Sequence, residues 1–111
     1  MKKLSTEELK EMQERQEQFT LINVLPADQF FQTEIPGSEN ISLHEADFAT
    51  RVQKAAGGKD RTVIAYCGDE QCTAATEAAA RLAAAGFSKV YDYKGGAREW
   101  YEHERKAAAK V

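Results

Sequence analysis

The chain has 111 residues, 42% hydrophobic and 30% charged, which suits one domain over residues 1–111 with one modest core. Fifteen lysines and arginines against eighteen aspartates and glutamates give a net charge of −3 with no basic stripe, so we expect no nucleic-acid partner. The polar N-terminal segment holds no apolar stretch able to serve as a signal or membrane span, so we expect a cytoplasmic protein without a membrane partner.

The first predicted element is a helix from Ser5 to Gln16. Ser5 and Glu8 have the spacing of a capping box, in which each residue satisfies a free backbone N–H of the other. Leu9 and Met12 are three residues apart and therefore lie on one face of this helix. The pattern predicts an amphipathic helix that packs on the core.

Short β-favouring runs and helical segments alternate along the rest of the chain. In chain order we predict strands over Phe19–Val24, Glu39–Ser42, Thr62–Cys67 and Lys89–Lys94. Between and after them we predict helices over Pro26–Gln32, Leu43–Ala56, Thr73–Ala85 and Ala97–Lys110, two of which stop at Gly57-Gly58 and at Gly86. This alternation predicts an α/β fold with a parallel sheet covered by helices on both faces.

Cys67 stands where such folds place their chemistry, at the carboxyl end of the clearest predicted strand. The loop that follows leads into a helix N-terminus, whose free backbone N–H groups favour a thiolate or a persulfide anion. We therefore expect an exposed thiol with a lowered pKa, and Gly68 lets the loop approach the sulfur closely. The alternative is that Cys67 is only a small buried hydrophobic residue at a strand end.

Two cysteines in a reducing compartment are expected to be free thiols and not a structural disulfide. A pair separated by four residues without nearby histidines is a poor zinc site, so we expect no metal and no cofactor. His44 and His103 lie in charged helical surroundings and are expected at the surface.

Motifs along nearly the whole chain resemble those of single-domain rhodanese-like sulfurtransferases. They are, in order, Ile35-Pro36-Gly37, the Cys67 position, Gly86-Phe87, and Gly95-Gly96 followed by Trp100. The resemblance implies about five mainly parallel strands, with "KKL" as a short first strand, and Cys67 as the catalytic residue that carries sulfane sulfur as a persulfide. It also implies that the active-site loop binds substrate through Gly68, Asp69, Glu70, Gln71, Cys72 and Thr73. The implied partners are a small sulfur donor or a persulfidated protein, and a thiol acceptor.

The chain departs from the family pattern at three positions before the cysteine. Asn23 stands where the family usually has Asp, Leu25 where Arg is common, and Glu34 where His is common. These departures favour the alternative of a non-catalytic or regulatory module that binds proteins, whereas the intact cysteine favours an enzyme.

The loop itself is acidic, with Asp69 and Glu70 where rhodanese-like loops often carry Arg or Lys. Each carboxylate would oppose a dianionic donor by about 1 kcal/mol, so we expect thiosulfate to be a poor donor. Phosphatases and arsenate reductases also use a cysteine loop, with an arginine six residues after the cysteine. Thr73 holds that position here, which disfavours phosphoryl chemistry.

Cys72 is open to two interpretations. It could be a resolving thiol that attacks the persulfide on Cys67, or the pair could act as a thiol redox centre; alternatively Cys72 is a small residue packed under the helix. Thr73 is expected to cap that helix. Lys94 and Arg98 are the cations expected near the mouth of the site, and Trp100 and Tyr101 are expected to pack the last helix onto the sheet.

Overall fold

The computed structural model describes residues 2–109 as a five-stranded sheet in which every paired strand is parallel. The strands are β1 (Lys2–Lys3), β2 (Thr20–Asn23), β3 (Glu39–Asn40), β4 (Thr62–Tyr66) and β5 (Lys89–Tyr93), and their order across the sheet is β1-β5-β4-β2-β3. The helices are α1 (Thr6–Glu14), α2 (Ala27–Thr33), α3 (Phe48–Ala56), α4 (Ala74–Ala84) and α5 (Gly96–Ala109). The predicted α/β class, the short first strand and the parallel sheet are confirmed.

Both faces of the sheet are covered, which is why the central strand β4 carries no charged residue and is buried from Val63 to Tyr66. Successive residues of a strand point to opposite faces. Val63, Ala65 and Cys67 therefore join a core cluster with residues of α3 and α4. Ile64 and Tyr66 join a second cluster with residues of α1 and α5.

The capping box of α1 is confirmed by two reciprocal hydrogen bonds. The Glu8 backbone N–H donates to Ser5 Oγ at 3.1 Å, and the Ser5 backbone N–H donates to Glu8 Oε1 at 2.9 Å. The bond from the Ser5 backbone N–H favours the ionised carboxylate and, together with the nearby Ser5 hydroxyl, lowers the pKa of Glu8. The helix ends at Glu14, slightly earlier than predicted, because Gln16 has a φ of 56° and leaves the helical conformation.

The start of α3 was predicted too early. Leu43 was expected to begin the helix, but its backbone N–H donates to the Val24 carbonyl at 3.0 Å and keeps the chain beside the end of β2. Two turns follow before the helix begins at Phe48. The helix ends as predicted at Gly57, whose φ of 91° is readily adopted by glycine.

The last helix, α5, packs partly as predicted. Trp100 is buried, and its Nε1 donates to Gln13 Oε1 at 3.2 Å. Tyr101 is 40% exposed and donates its hydroxyl to the Glu34 carbonyl, so it does not pack on the sheet as expected. The predicted last helical residue, Lys110, lies outside the described residues. Within residues 2–109, no helix is both long and apolar enough to span a membrane.

Candidate active site

Cys67 is the first residue after β4 and lies at the carboxyl edge of the sheet, as the sequence predicted. Its side chain is only 2% exposed, so the expectation of an exposed thiol was wrong. The physical reason is strand alternation, because Cys67 points to the same face as Ala65 and is covered there by residues of α4 such as Ala75.

The loop after Cys67 turns back on itself and joins the two cysteines in a disulfide. The Cys72 backbone N–H donates to the Asp69 carbonyl at 3.1 Å, and the Gln71 backbone N–H donates to Asp69 Oδ1 at 2.9 Å. These turns place the Cα atoms of Cys67 and Cys72 6.4 Å apart, within the range that a disulfide spans. The expectation of two free thiols is therefore wrong for this structure. Cys72 also packs against the core cluster beside α4, so the structure leaves both interpretations of this residue open.

Several backbone N–H groups around the loop remain available for an anion. Those of Glu70 and Thr73 have no hydrogen-bond acceptor within residues 2–109, and the first intrahelical bond of α4 runs from the Glu77 N–H to the Thr73 carbonyl. The N–H groups of the first turn of α4 are thus free, as at other helix N-termini. Thr73 directly precedes α4, but its side chain makes no capping hydrogen bond, since its backbone already has helical dihedral angles.

The N-terminus of α5 holds the start of the cysteine loop. The Ala97 N–H donates to the Cys67 carbonyl at 3.0 Å, and the Arg98 N–H donates to the Gly68 carbonyl at 2.9 Å. Gly96 makes this close approach feasible, because a Cβ atom there would lie 2.5 Å from the Cys67 carbonyl oxygen. The sequence showed Gly95-Gly96 as part of a family motif but not this contact, which joins residues about thirty positions apart.

A polar network lies on the opposite face of the sheet from the two sulfurs. Asn23, the residue that replaces the family's usual Asp, donates through Nδ2 to the Thr33 carbonyl at 3.1 Å and to Tyr66 Oη at 3.1 Å. Its Oδ1 accepts the Leu25 N–H at 3.1 Å. Tyr66 Oη also accepts the Ile35 N–H at 2.9 Å. Burial raises the pKa of Tyr66, which keeps its hydroxyl protonated and able to donate.

Sequence reasoning missed Tyr66 and a second buried polar residue, Asp92. Asp92 pairs in register with Ala65 and so points to the face on which Cys67 lies. Its Oδ2 accepts the Thr76 hydroxyl at 2.6 Å, whereas its Oδ1 is buried without a partner among the described residues. A charged residue inside β5, between two tyrosines, was the available signal for Asp92.

The surroundings of the loop are acidic, as the sequence predicted. A cavity of about 420 Å³ separates the loop from α5, and its wall includes four carboxylate residues, Asp69, Glu70, Glu99 and Glu102, and two cations, Arg98 and Lys106. The Arg98 guanidinium donates to Glu102 at 3.3 Å, which offsets part of its charge. Neither sulfur belongs to this wall.

The remaining candidate residues lie apart from the sulfurs. Lys94 lines a neighbouring cavity together with Glu70. His44 is exposed, as predicted, and His103 is half-buried on α5. Among residues 2–109, no group of three or more His, Cys, Asp and Glu side chains is arranged to hold a metal ion.

Comparisons with known proteins agree with this architecture. Residues 5–103 match the rhodanese-like domain family. A Bacillus halodurans crystal structure has a TM-score of 0.80 at 24% identity, covering 93% of this chain and 73% of that one. The human single-domain sulfurtransferase TSTD1 has a TM-score of 0.75 at 20% identity, covering 92% and 96%.

A thiosulfate sulfurtransferase from Pseudomonas aeruginosa has a TM-score of 0.78 at 22% identity, with 94% of this chain covering 19% of that larger one. At these identities the structural likeness concerns the fold alone. No curated protein matches the chain by sequence.

Proposed function

The chain belongs to the rhodanese-like domain family, and from that premise we propose that it is a sulfurtransferase whose Cys67 carries sulfane sulfur as a persulfide. The observation that carries this proposal is the placement of Cys67 between the end of β4 and a loop that leads to the N-terminus of α4. No cofactor is needed for this chemistry, because the thiol itself is the nucleophile.

The first chemical step is an attack on a sulfane donor by the reduced protein. The Cys67 thiolate attacks the terminal sulfur of a persulfide or polysulfide, the donor's sulfur–sulfur bond breaks, and the donor leaves as a thiolate. The added sulfur extends from Cys67 into the loop, where the free N–H groups of Glu70, Thr73 and the first turn of α4 can stabilise its negative charge. A thiol acceptor then removes the sulfur.

The acidic loop supports a persulfide or an organic polysulfide donor over thiosulfate. Asp69 and Glu70 border the cavity beside the site, and Arg98 is partly neutralised by Glu102. A dianion approaching this cavity meets more carboxylates than cations, whereas a neutral or singly charged donor is less affected. The donor can therefore be a small persulfide or the persulfidated cysteine of a partner protein. We place the reaction in the cytoplasm, where thiol acceptors are abundant.

The proposal is tested by loading the reduced protein with polysulfide and measuring its intact mass. We expect a species heavier by about 32 Da, one sulfur atom, that maps to Cys67 and is absent in Cys67→Ser. A matched control is Ala80→Ser, an exposed substitution on the outer face of α4, which should load like the wild type.

The competing function, a module that only binds proteins, predicts a different result. In that case the wild type and Cys67→Ser would take up equally little sulfur and release equally little sulfide, although both would remain folded by circular dichroism. That outcome would overturn the sulfurtransferase proposal.

A further inference from the structure

We propose that Cys72 attacks the persulfide formed on Cys67, so that the protein releases sulfide and joins its own two cysteines in a disulfide. This inference rests on the proposed function, because it needs a persulfide on Cys67. It adds a further activity, the reduction of sulfane sulfur to sulfide at the expense of an external thiol.

The first observation is that the folded loop already brings the two cysteines into bonding position. Cys67 and Cys72 are joined in the structure, and their Cα atoms are 6.4 Å apart. The turn that brings them together is held by hydrogen bonds from Cys72 and Gln71 to Asp69. The attack by Cys72 therefore requires no rearrangement of the surrounding helices or strands.

The second observation is the difference in burial between the two sulfurs. Cys67 is 2% exposed and packs within the core cluster, whereas Cys72 is half-buried at its margin. The Sγ of Cys67, which becomes the inner sulfur of a persulfide, lies beside Cys72, and Cys72 is the more accessible of the two residues. An internal nucleophile at this distance has a high effective concentration.

The release step balances without an oxidant. The Cys72 thiol passes its proton to the outer sulfur, and the resulting thiolate attacks the Sγ of Cys67. The bond between that Sγ and the outer sulfur breaks, and the outer sulfur leaves as HS⁻ with the bonding electron pair. The product is the Cys67–Cys72 disulfide. The outer sulfur is reduced, and the two cysteine sulfurs supply the two electrons.

An external thiol then regenerates the dithiol. Because Cys72 is the more accessible sulfur, the thiolate of the reductant attacks Cys72, and Cys67 leaves as a thiolate at the N-terminus of α4. A second thiol resolves the mixed disulfide on Cys72. In total, one persulfide sulfur and two external thiols give one sulfide and one external disulfide.

The test follows sulfide after one round of loading in the absence of external thiol. Reduced protein is loaded with polysulfide, excess donor is removed under nitrogen, and released sulfide and intact mass are measured over time. We expect the wild type to release its sulfur as sulfide and to become about 2 Da lighter than the dithiol form. Peptide mapping should identify the Cys67–Cys72 disulfide.

The variant Cys72→Ser distinguishes a failure of this inference from a failure of the proposed function. The variant should gain the Cys67 persulfide but release sulfide more than about tenfold more slowly until an external thiol is added. Ala80→Ser should behave like the wild type in both steps.

Equal persulfide decay in the wild type and Cys72→Ser, with no linked peptide in the wild type, would overturn the role of Cys72 alone. A failure of both proteins to load sulfur would instead overturn the proposed function. If Cys72→Ser did not fold, the mapped disulfide and the sulfide released by the wild type would still decide the question: both are expected, and the absence of either refutes the inference.

Discussion

The ends of β2 and β4 lie side by side at the carboxyl edge of the sheet, but they differ in how far their polar groups are satisfied by internal hydrogen bonds. Asn23 and Tyr66 are partners in the β2–β4 register. At the end of β2, the side chain of Asn23 uses both its amide nitrogen and its oxygen in internal hydrogen bonds. After β4, the N–H groups of Glu70 and Thr73 have no acceptor within residues 2–109.

This difference shows that one edge of the sheet can hold both a rigid hydrogen-bond network and a set of free N–H groups. A fully satisfied polar network is rigid and gains little from a ligand, whereas unpaired N–H groups at a helix N-terminus are favourable sites for an anion. Tyr66 connects the two regions. Its hydroxyl takes part in the hydrogen-bond network on one face of the sheet, and the next residue, Cys67, points to the other face. The β2 end therefore supports the sheet edge, and the β4 end is available to an anion.

We expect the largest effect on stability from a substitution at Gly96, where α5 contacts the residues that follow β4. Gly96→Ala introduces a Cβ atom 2.5 Å from the Cys67 carbonyl oxygen at a residue with a φ of 66°. We expect the free energy of unfolding to fall by about 3 kcal/mol, from overpacking plus backbone strain. Urea denaturation measures this change.

Gly37→Ala is the matched control for that substitution. Gly37 has a similar φ of 86°, but a Cβ atom there would meet nothing within 4 Å. Backbone strain alone predicts a loss of roughly 1 kcal/mol. Equal losses at the two glycines would contradict the idea that close contact with the cysteine loop is what requires Gly96.

An intermediate effect is expected from breaking the network at the β2 end. Tyr66→Phe removes the hydroxyl that accepts hydrogen bonds from the Asn23 amide and the Ile35 N–H. Each of these donors then loses one acceptor. We expect a loss of about 1–3 kcal/mol in the free energy of unfolding. Persulfide loading at Cys67 should be unchanged at temperatures where the variant is folded.

Tyr91→Phe provides the control, since Tyr91 lies half-buried on β5 and its hydroxyl has no hydrogen-bond partner among the described residues. Its unfolding free energy should stay within about 0.5 kcal/mol of the wild type. A loss of sulfur loading in folded Tyr66→Phe would show that the two strand ends do not have separate roles.

We expect the smallest effect from removing negative charge beside the cysteine loop. Replacing Asp69 and Glu70 by Asn and Gln removes two negative charges from the cavity beside the loop. We expect the apparent affinity for thiosulfate to rise by up to about tenfold per residue, and by less as salt is added. Steady-state kinetics of sulfur transfer to cyanide at two ionic strengths measure the effect.

Asp60→Asn is the control for charge alone, because Asp60 is exposed at the opposite edge of the sheet, just before β4 begins. It changes the net charge without changing the cavity. An efficient wild-type reaction with thiosulfate that none of these substitutions alters would mean that the carboxylates do not repel the donor.

Local sequence patterns were sufficient to predict the order of the elements from α1 onward and the position of Cys67, whereas the short first strand followed only from the family resemblance. The capping box of Ser5 and Glu8, the apolar run of β4 and the glycine after α3 each act within a few residues of the chain. Such short-range interactions are readable from the sequence because the interacting groups are neighbours in it. The placement of Cys67 at a strand end followed from the same patterns.

Only the tertiary structure decided the features that depend on distant residues or on how a loop turns. The Val24 carbonyl delays α3 by accepting the Leu43 N–H, and Gly96 is required because α5 meets the cysteine loop there. Burial of Cys67 and its bond to Cys72 likewise depend on the packing of α4 and on the fold of the loop. Spacing along the chain does not specify these contacts, since packing and hydrogen bonds between separate elements set the direction of each side chain.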